Sequence, residues 1–310
     1  MDMLPYLKMM RPLNGAMSVL AVLAGGIVAG AVGLPLGIAM LAAFLIMGAG
    51  MVINDWTDIE ADKVNKPNRP LPSGQATPKK ALGFAFLLFF IGIVLAGTIN
   101  TLAFIVALIN SLILIGYAVS LQNKILLGNI AVSYLVGSTF LFGGAVANSL
   151  TALFVTGLLL LLAFFANLSR EIVKDMEDIE GDRSSFLKRL KQKTKEIAGG
   201  RFDLSSMEPS LKHKSTLMSL AEGSLLLAIV VSPIPLILGM LGPLYLLFLV
   251  PTDLLFLLAL FLLVRSRQRS SMKEEAKSLL FGKKVYKQVS TYIKLGMLFG
   301  LLAFIAGALF

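Results

Sequence analysis

Two short acidic segments hold most of the chemistry open to this sequence. Residues 55–62 read Asp-Trp-Thr-Asp-Ile-Glu-Ala-Asp, and residues 175–182 read Asp-Met-Glu-Asp-Ile-Glu-Gly-Asp. Both have the form D-x-x-D-I-E-x-D, and each follows an apolar stretch. A helix turns about 100° per residue, so positions i, i+3 and i+7 fall on one face. Asp55, Asp58 and Asp62 then form one carboxylate row. Asp175, Asp178 and Asp182 form a second, extended by Glu171 one turn earlier, while Glu60 and Glu180 point elsewhere. Like charges at this spacing repel unless a cation intervenes. Two such rows facing each other would make an oxygen-rich site for Mg²⁺, a hard ion that keeps waters and shares its shell with substrate phosphates. A single acidic motif at a helix end is commonly just solvated. Two near-identical copies at equivalent places argue for an internal duplication with a shared purpose.

Basic groups follow the first motif. Lys63, Lys66, Arg69 and Lys79 lie in or beside Lys-Val-Asn-Lys-Pro-Asn-Arg-Pro-Leu-Pro-Ser-Gly, residues 63–74. Three prolines and a glycine make this a stiff loop. A rigid loop holding Arg69 beside a metal site suits diphosphate recognition, because arginine grips phosphate oxygens as a fork and lysine acts as a point charge. Lys79 and Lys80 read as ordinary charges flanking a membrane segment. Histidine occurs once, at His213, and cysteine is absent. Thiol catalysis, disulfides, zinc–thiolate sites and histidine triads are therefore excluded.

The elements that must position these groups are membrane helices. The chain has 310 residues, 56% hydrophobic and 15% charged, with a mean hydropathy of +0.82. Soluble chains run about 45–50% apolar and about 25% charged, so a water-soluble globule is ruled out. About nine apolar runs are long enough to cross a ~30 Å hydrocarbon layer as helices. They lie near 14–33, 35–53, 81–98, 101–120, 127–147, 151–170, 217–240, 243–264 and 289–309. The fold class expected is all-α: one transmembrane domain over residues 1–310, with loops capping the active site. The breaks at 33–35, 98–100, 148–150 and 241–243 hold turn residues and no Lys or Arg. Every basic residue falls in the alternate connections, which places the N-terminus, the long loops and both acidic motifs on the cytoplasmic side of a cell membrane. The net charge of +10 then reflects topology and attraction to anionic membrane lipid, not nucleic acid. Residues 183–215 form a charged insertion, partly amphipathic, that would suit a lid over the site; a solvated insertion is the alternative.

Asn54-Asp55-x-x-Asp58-x-x-x-Asp62, the trailing Asn68-Arg69-Pro70-x-x-Ser73-Gly74 and the second aspartate motif resemble the UbiA superfamily of intramembrane prenyltransferases. The likeness covers most of the chain. Residues 170–182, Asn123-Lys124-x-x-Leu127-Gly128-Asn129 and Arg11-Pro12-x-Asn14 are most similar to its archaeal ether-lipid members. The resemblance implies that Asn54, Asp55, Asp58, Asp62, Asp175, Asp178 and Asp182 form the catalytic set. The six aspartates would hold Mg²⁺ against the diphosphate of geranylgeranyl diphosphate. Arg69, Lys124, Lys66, Glu171 and Lys174 would serve substrate binding, and Arg11 and Asn14 would face the acceptor. It also implies an acceptor, geranylgeranylglyceryl phosphate, whose hydroxyl attacks C1 of the donor to form an ether.

Three alternatives stay open from sequence. An aromatic acceptor, as in quinone biosynthesis, would use the same donor chemistry. A CDP-alcohol phosphotransferase is also Asp-rich, but its Asp-Gly start and Ala-Arg pair are absent. A divalent-cation carrier could use duplicated acidic helices, but its ligands belong near the bilayer midplane. Among other residues, Asp253 reads as a helix–helix hydrogen-bonding group, Glu222 as a capping or dipole partner, and Tyr117 and Tyr134 as tunnel-lining rings or packing.

Overall fold

The computed structural model describes residues 3–122, 124–196, 209–270 and 275–309; side chains are not described at 125, 179–196, 209–214, 268–270 and 275–283. Every regular element among the described residues is helical. The helices are α1 (Leu4–Met9), α2 (Pro12–Val28), α3 (Leu34–Thr57), α4 (Ile59–Asn65), α5 (Pro78–Ile99), α6 (Thr101–Gly116), α7 (Ile125–Ala145), α8 (Leu150–Glu196), α9 (Pro209–Val231), α10 (Ile234–Ile237), α11 (Tyr245–Ser270) and α12 (Glu275–Leu309). A wider π-turn, Tyr117–Leu121, extends α6. Among the described residues, eight helical segments are long and apolar enough to span a membrane, and Pro12–Val28 is a shorter apolar helix. Together they account for the nine runs expected, and the chain is a multi-pass membrane protein.

Proline and glycine set the ends. Pro12, Pro35 and Pro78 stand in the first turns of α2, α3 and α5, where a missing N–H costs nothing. Gly30 and Gly33, at φ +73° and +76°, turn the chain between α2 and α3. Asn100 caps α6 by accepting from the N–H of Ala103 at 2.9 Å. The run expected over 217–240 is interrupted: α9 stops at Val231, and Ser232 and Pro233 separate it from the short α10, which has Pro235 in its first turn.

The chain divides into two compact units. The first comprises Met1–Phe164, Ile234–Leu246 and Leu301–Phe310. Its core centres on α3, α5 and α6, with Ala39, Ala42, Ala49, Val52, Ala81 and Ala85 buried. Small residues let backbones approach, the usual basis of helix association in lipid. A methyl added at Gly25 would sit 2.2 Å from the carbonyl oxygen of Phe140, and one at Gly143 2.2 Å from that of Val22, so α2 and α7 touch through their glycines. The second unit, Phe165–Pro233 and Leu247–Gly300, packs Ile172, Val173 and Met176 of α8 with Leu225, Leu263 and Ile293.

Outward faces are greasy. Phe86, Leu87, Phe90 and Val94 of α5 are exposed. Such a face would aggregate in water and is at home against lipid tails. Asp253 accepts from Ser232 Oγ at 2.8 Å, the expected interhelical hydrogen bond. Glu222 accepts from Arg267 Nη1 at 3.0 Å, a specific partner where sequence suggested only a helix-end role. The helical backbone of α8 runs on to Glu196, well past the apolar run read at 151–170. Of the lid expected at 183–215, residues 183–196 continue α8 and 209–215 open α9, and residues 197–208 fall outside the described residues.

Candidate active site

The first motif sits where α3 ends. Thr57 closes the helix, Asp58 adopts φ −89°, ψ 6°, and α4 resumes at Ile59. The break divides the row of acids expected from a continuous helix. Asp55 and Asp62 are buried and turn to a common partner, whereas Asp58 faces another way. Arg69 Nη1 donates to Asp55 Oδ1 at 3.0 Å and to Asp62 Oδ2 at 2.5 Å. Arg11 Nη2 donates to the same Asp55 oxygen at 2.5 Å. Asp58 accepts from Asn54 Nδ2 at 3.1 Å and Gln122 Nε2 at 2.8 Å. Buried carboxylates need such partners, since an unpaired buried charge is costly.

Each partner is held in place by its backbone. The Arg69 loop is a series of linked turns. The Ser73 hydroxyl donates to the Arg69 carbonyl at 2.7 Å, Gly74 N–H to Leu71 O at 3.1 Å, and Ala76 N–H to Pro70 O at 2.9 Å. Leu71 and Ala76 anchor it in the core. Gly74 takes φ +77° with open space around its Cα, so a side chain there costs backbone strain alone. Gly74→Ala should therefore cost about 1–2 kcal/mol. The check is a lower melting temperature in detergent together with faster proteolysis of residues 66–77. Arg11, directly before Pro12, is itself left-handed at φ 50°, a conformation unusual for a residue with a side chain. Its ion pair with Asp55 helps hold it there.

Gln122 was not singled out from sequence. It follows the π-turn, its N–H bonding back to Tyr117 O at 3.0 Å. Such widened turns recur at functional sites because they re-aim the next side chains. Lys124, Lys66 and Asn14 are exposed. Lys63 pairs with Glu60 at 2.7 Å on the surface, a contact worth little.

Beneath Asn54 lies an apolar cavity of about 270 Å³ within the first unit. Its lining includes Ala43, Met47, Gly50, Asn54, Leu114 and Tyr117. Ala43 and Asn54 are eleven positions apart on α3, about 16 Å of helix. Gly50 contributes no side chain, and a methyl there would meet Leu114 Cδ2 at 2.8 Å. Asn110 also lines the cavity, its Oδ1 buried without a hydrogen-bond partner. Tyr117 lines it as one sequence reading had it; Tyr134 is not among its lining residues.

In the second unit, Glu171 lies between two cations: Arg170 Nη1 at 2.6 Å and Lys174 Nζ at 2.8 Å. Asp175 is half-buried and Asp178 exposed; the side chain of Asp182 is outside the described residues. No group of three acidic or histidine side chains forms a ready metal cage among the described residues. Magnesium does not require one, since it is commonly held by one or two carboxylates plus substrate phosphates. Asp55 and Asp62 already approach a single cationic nitrogen, so they can share a cation, and all their donors are hard oxygens. The residues fit the ion.

The model of the UbiA prenyltransferase family matches residues 13–282. The chain belongs to the UbiA prenyltransferase family. Family membership makes it an enzyme and sets aside the cation-carrier alternative. This prenyltransferase is 36% identical over 309 residues to the digeranylgeranylglyceryl phosphate synthase of Methanococcus aeolicus, covering 98% of this chain and 97% of that one. It is 38% identical to the synthase of the same name from Methanopyrus kandleri, over 98% and 99% of the two chains. A solved structure reported for digeranylgeranylglyceryl phosphate synthase in membranes superposes with a TM-score of 0.78 at 32% identity, covering 99% of each chain.

Proposed function

We propose that this prenyltransferase moves a geranylgeranyl group from geranylgeranyl diphosphate to a hydroxyl of geranylgeranylglyceryl phosphate, making the second ether bond of an archaeal membrane lipid. Near-full-length identity to synthases of that name supports the reading. The observation that carries it is the apolar cavity ending at Asn54, with the carboxylate of Asp55 on the adjacent residue, that of Asp58 one turn further on, and Arg69 bonded to Asp55. An amphiphile with a diphosphate head and an isoprenoid tail matches both ends of that site.

Asp55, Asp58 and Asp62, with Asp175, Asp178 and Asp182 of the second motif, are assigned to hold Mg²⁺. When bound, the metal offsets the charge that develops on the departing diphosphate. Arg69 now neutralises Asp55 and Asp62; with a cation on those carboxylates, its guanidinium is free to turn to phosphate oxygens as a fork. Lys66 and Lys124 add point charges at the exposed rim. Asn54 and Gln122 orient Asp58 through its two oxygens. The cavity wall keeps bulk water from C1 as its bond to the diphosphate oxygen breaks. The acceptor hydroxyl oxygen bonds to C1 as the C1–diphosphate bond breaks, and its proton leaves with the released diphosphate; Arg11 and Asn14 are assigned to the acceptor side. The distribution of basic residues supports a cytoplasmic side for both motifs.

Purified protein supplied with geranylgeranyl diphosphate, Mg²⁺ and a panel of acceptors tests this reading. Geranylgeranylglyceryl phosphate should be alkylated and 4-hydroxybenzoate not. Alkylation of the aromatic acceptor alone would replace the reading with a quinone-pathway one.

A further inference from the structure

The second unit carries a feature that the metal assignment leaves unused. On α8, Arg170 and Lys174 lie one turn apart and flank Glu171. Around the helix, at about 100° per residue, these two cations occupy one edge of the face on which Asp175 and Asp178 occupy the other. Glu171 spends one oxygen on each cation, so the three side chains keep a net positive charge and a fixed geometry. The Arg170 guanidinium commits Nη1 to Glu171, while its Nε–H is buried and has no acceptor. A buried donor left unsatisfied is costly, more so on a charged group, and the natural way to satisfy it is an anionic oxygen.

We propose that Arg170 and Lys174 form an anion subsite for a phosphate monoester, the phosphate of the acceptor lipid. The assignment rests on the acceptor proposed above. Arg170 gives the directional hydrogen bond from Nε–H and Lys174 the point charge, with Glu171 as the brace that keeps both extended. Specificity for a phosphorylated acceptor over the bare alcohol then resides in this edge of α8.

Two variants and two readouts test it. Arg170→Gln removes the charge; Arg170→Lys keeps the charge and loses the directional Nε–H. In steady-state assays, Arg170→Gln should raise KM for geranylgeranylglyceryl phosphate about 10–100-fold, as expected for one charge-assisted hydrogen bond. KM for geranylgeranyl diphosphate should be unchanged, and Arg170→Lys should be intermediate. A rise in donor KM instead would assign the pair to the diphosphate and overturn the proposal, as would no change in either. Binding in EDTA without donor gives a readout independent of turnover. Wild-type protein in nanodiscs should bind geranylgeranylglyceryl phosphate at least about 10-fold more tightly than geranylgeranylglycerol, and Arg170→Gln should lose that preference. An Arg170-dependent preference in a protein that alkylates neither lipid would sink the acceptor reading and leave the subsite standing. Turnover of the phosphate lipid with the preference intact in Arg170→Gln would sink the subsite alone.

Discussion

Asp58→Ala and Asp178→Ala should each cut turnover by about 10²–10⁴-fold while the protein remains folded. The magnitude follows from the several kcal/mol that metal-assisted charge stabilisation contributes to a transition state, at about 1.4 kcal/mol per decade of rate. Both carboxylates are accessible enough to lose without a folding penalty: Asp58 is half-buried and Asp178 exposed. Asp55 and Asp62 are poorer probes. Their removal would strip Arg69 and Arg11 of partners, mixing destabilisation with lost catalysis. Near-normal turnover in Asp58→Ala or Asp178→Ala, measured as diphosphate release with melting temperatures alongside, would remove that motif from the metal site.

The second large effect belongs to the cavity. Ala43→Trp places an indole at the wall farthest along α3 from Asn54. If the cavity holds the isoprenoid tail, the substitution shortens the room available without touching any charged group. Specificity for geranylgeranyl over geranyl diphosphate, taken as the ratio of kcat/KM values, should fall at least about 100-fold, because each hydrocarbon unit excluded from a fitted pocket costs about 1–3 kcal/mol. Equal losses for both donors would mean that the tail lies elsewhere. Gly50 is unsuitable for this test, since any side chain there collides with Leu114.

Sequence made some of this arrangement legible and hid the rest for physical reasons. The helical spans were readable because lipid forces backbone groups to bond within a helix, so apolar length alone reports them. The aspartates and Arg69 stood out because acidic and basic groups are expensive beside a membrane and recur here in patterned motifs. The break at Asp58 was not readable: 55–62 has helical spacing throughout, and the departure is a backbone angle at one residue. Gln122 was missed for a related reason. A π-turn shifts the register by one residue, and nothing in Tyr117–Leu121 advertises it. Arg11 was singled out, but its left-handed backbone and its bond to Asp55 depend on α2 and α3 packing together. Asn110 carries no pattern in the sequence that sets it apart; only the cavity it lines does so.

The central claim is that both aspartate motifs bind magnesium in service of the donor diphosphate. It is tested most directly by calorimetric binding of geranylgeranyl thiodiphosphate, a slowly reacting donor, with Mg²⁺ and with EDTA. Wild-type protein should bind only with Mg²⁺, and Asp58→Ala and Asp178→Ala should each lose that binding while keeping their fold. Undiminished binding in EDTA, or wild-type affinity in either variant, would contradict the claim.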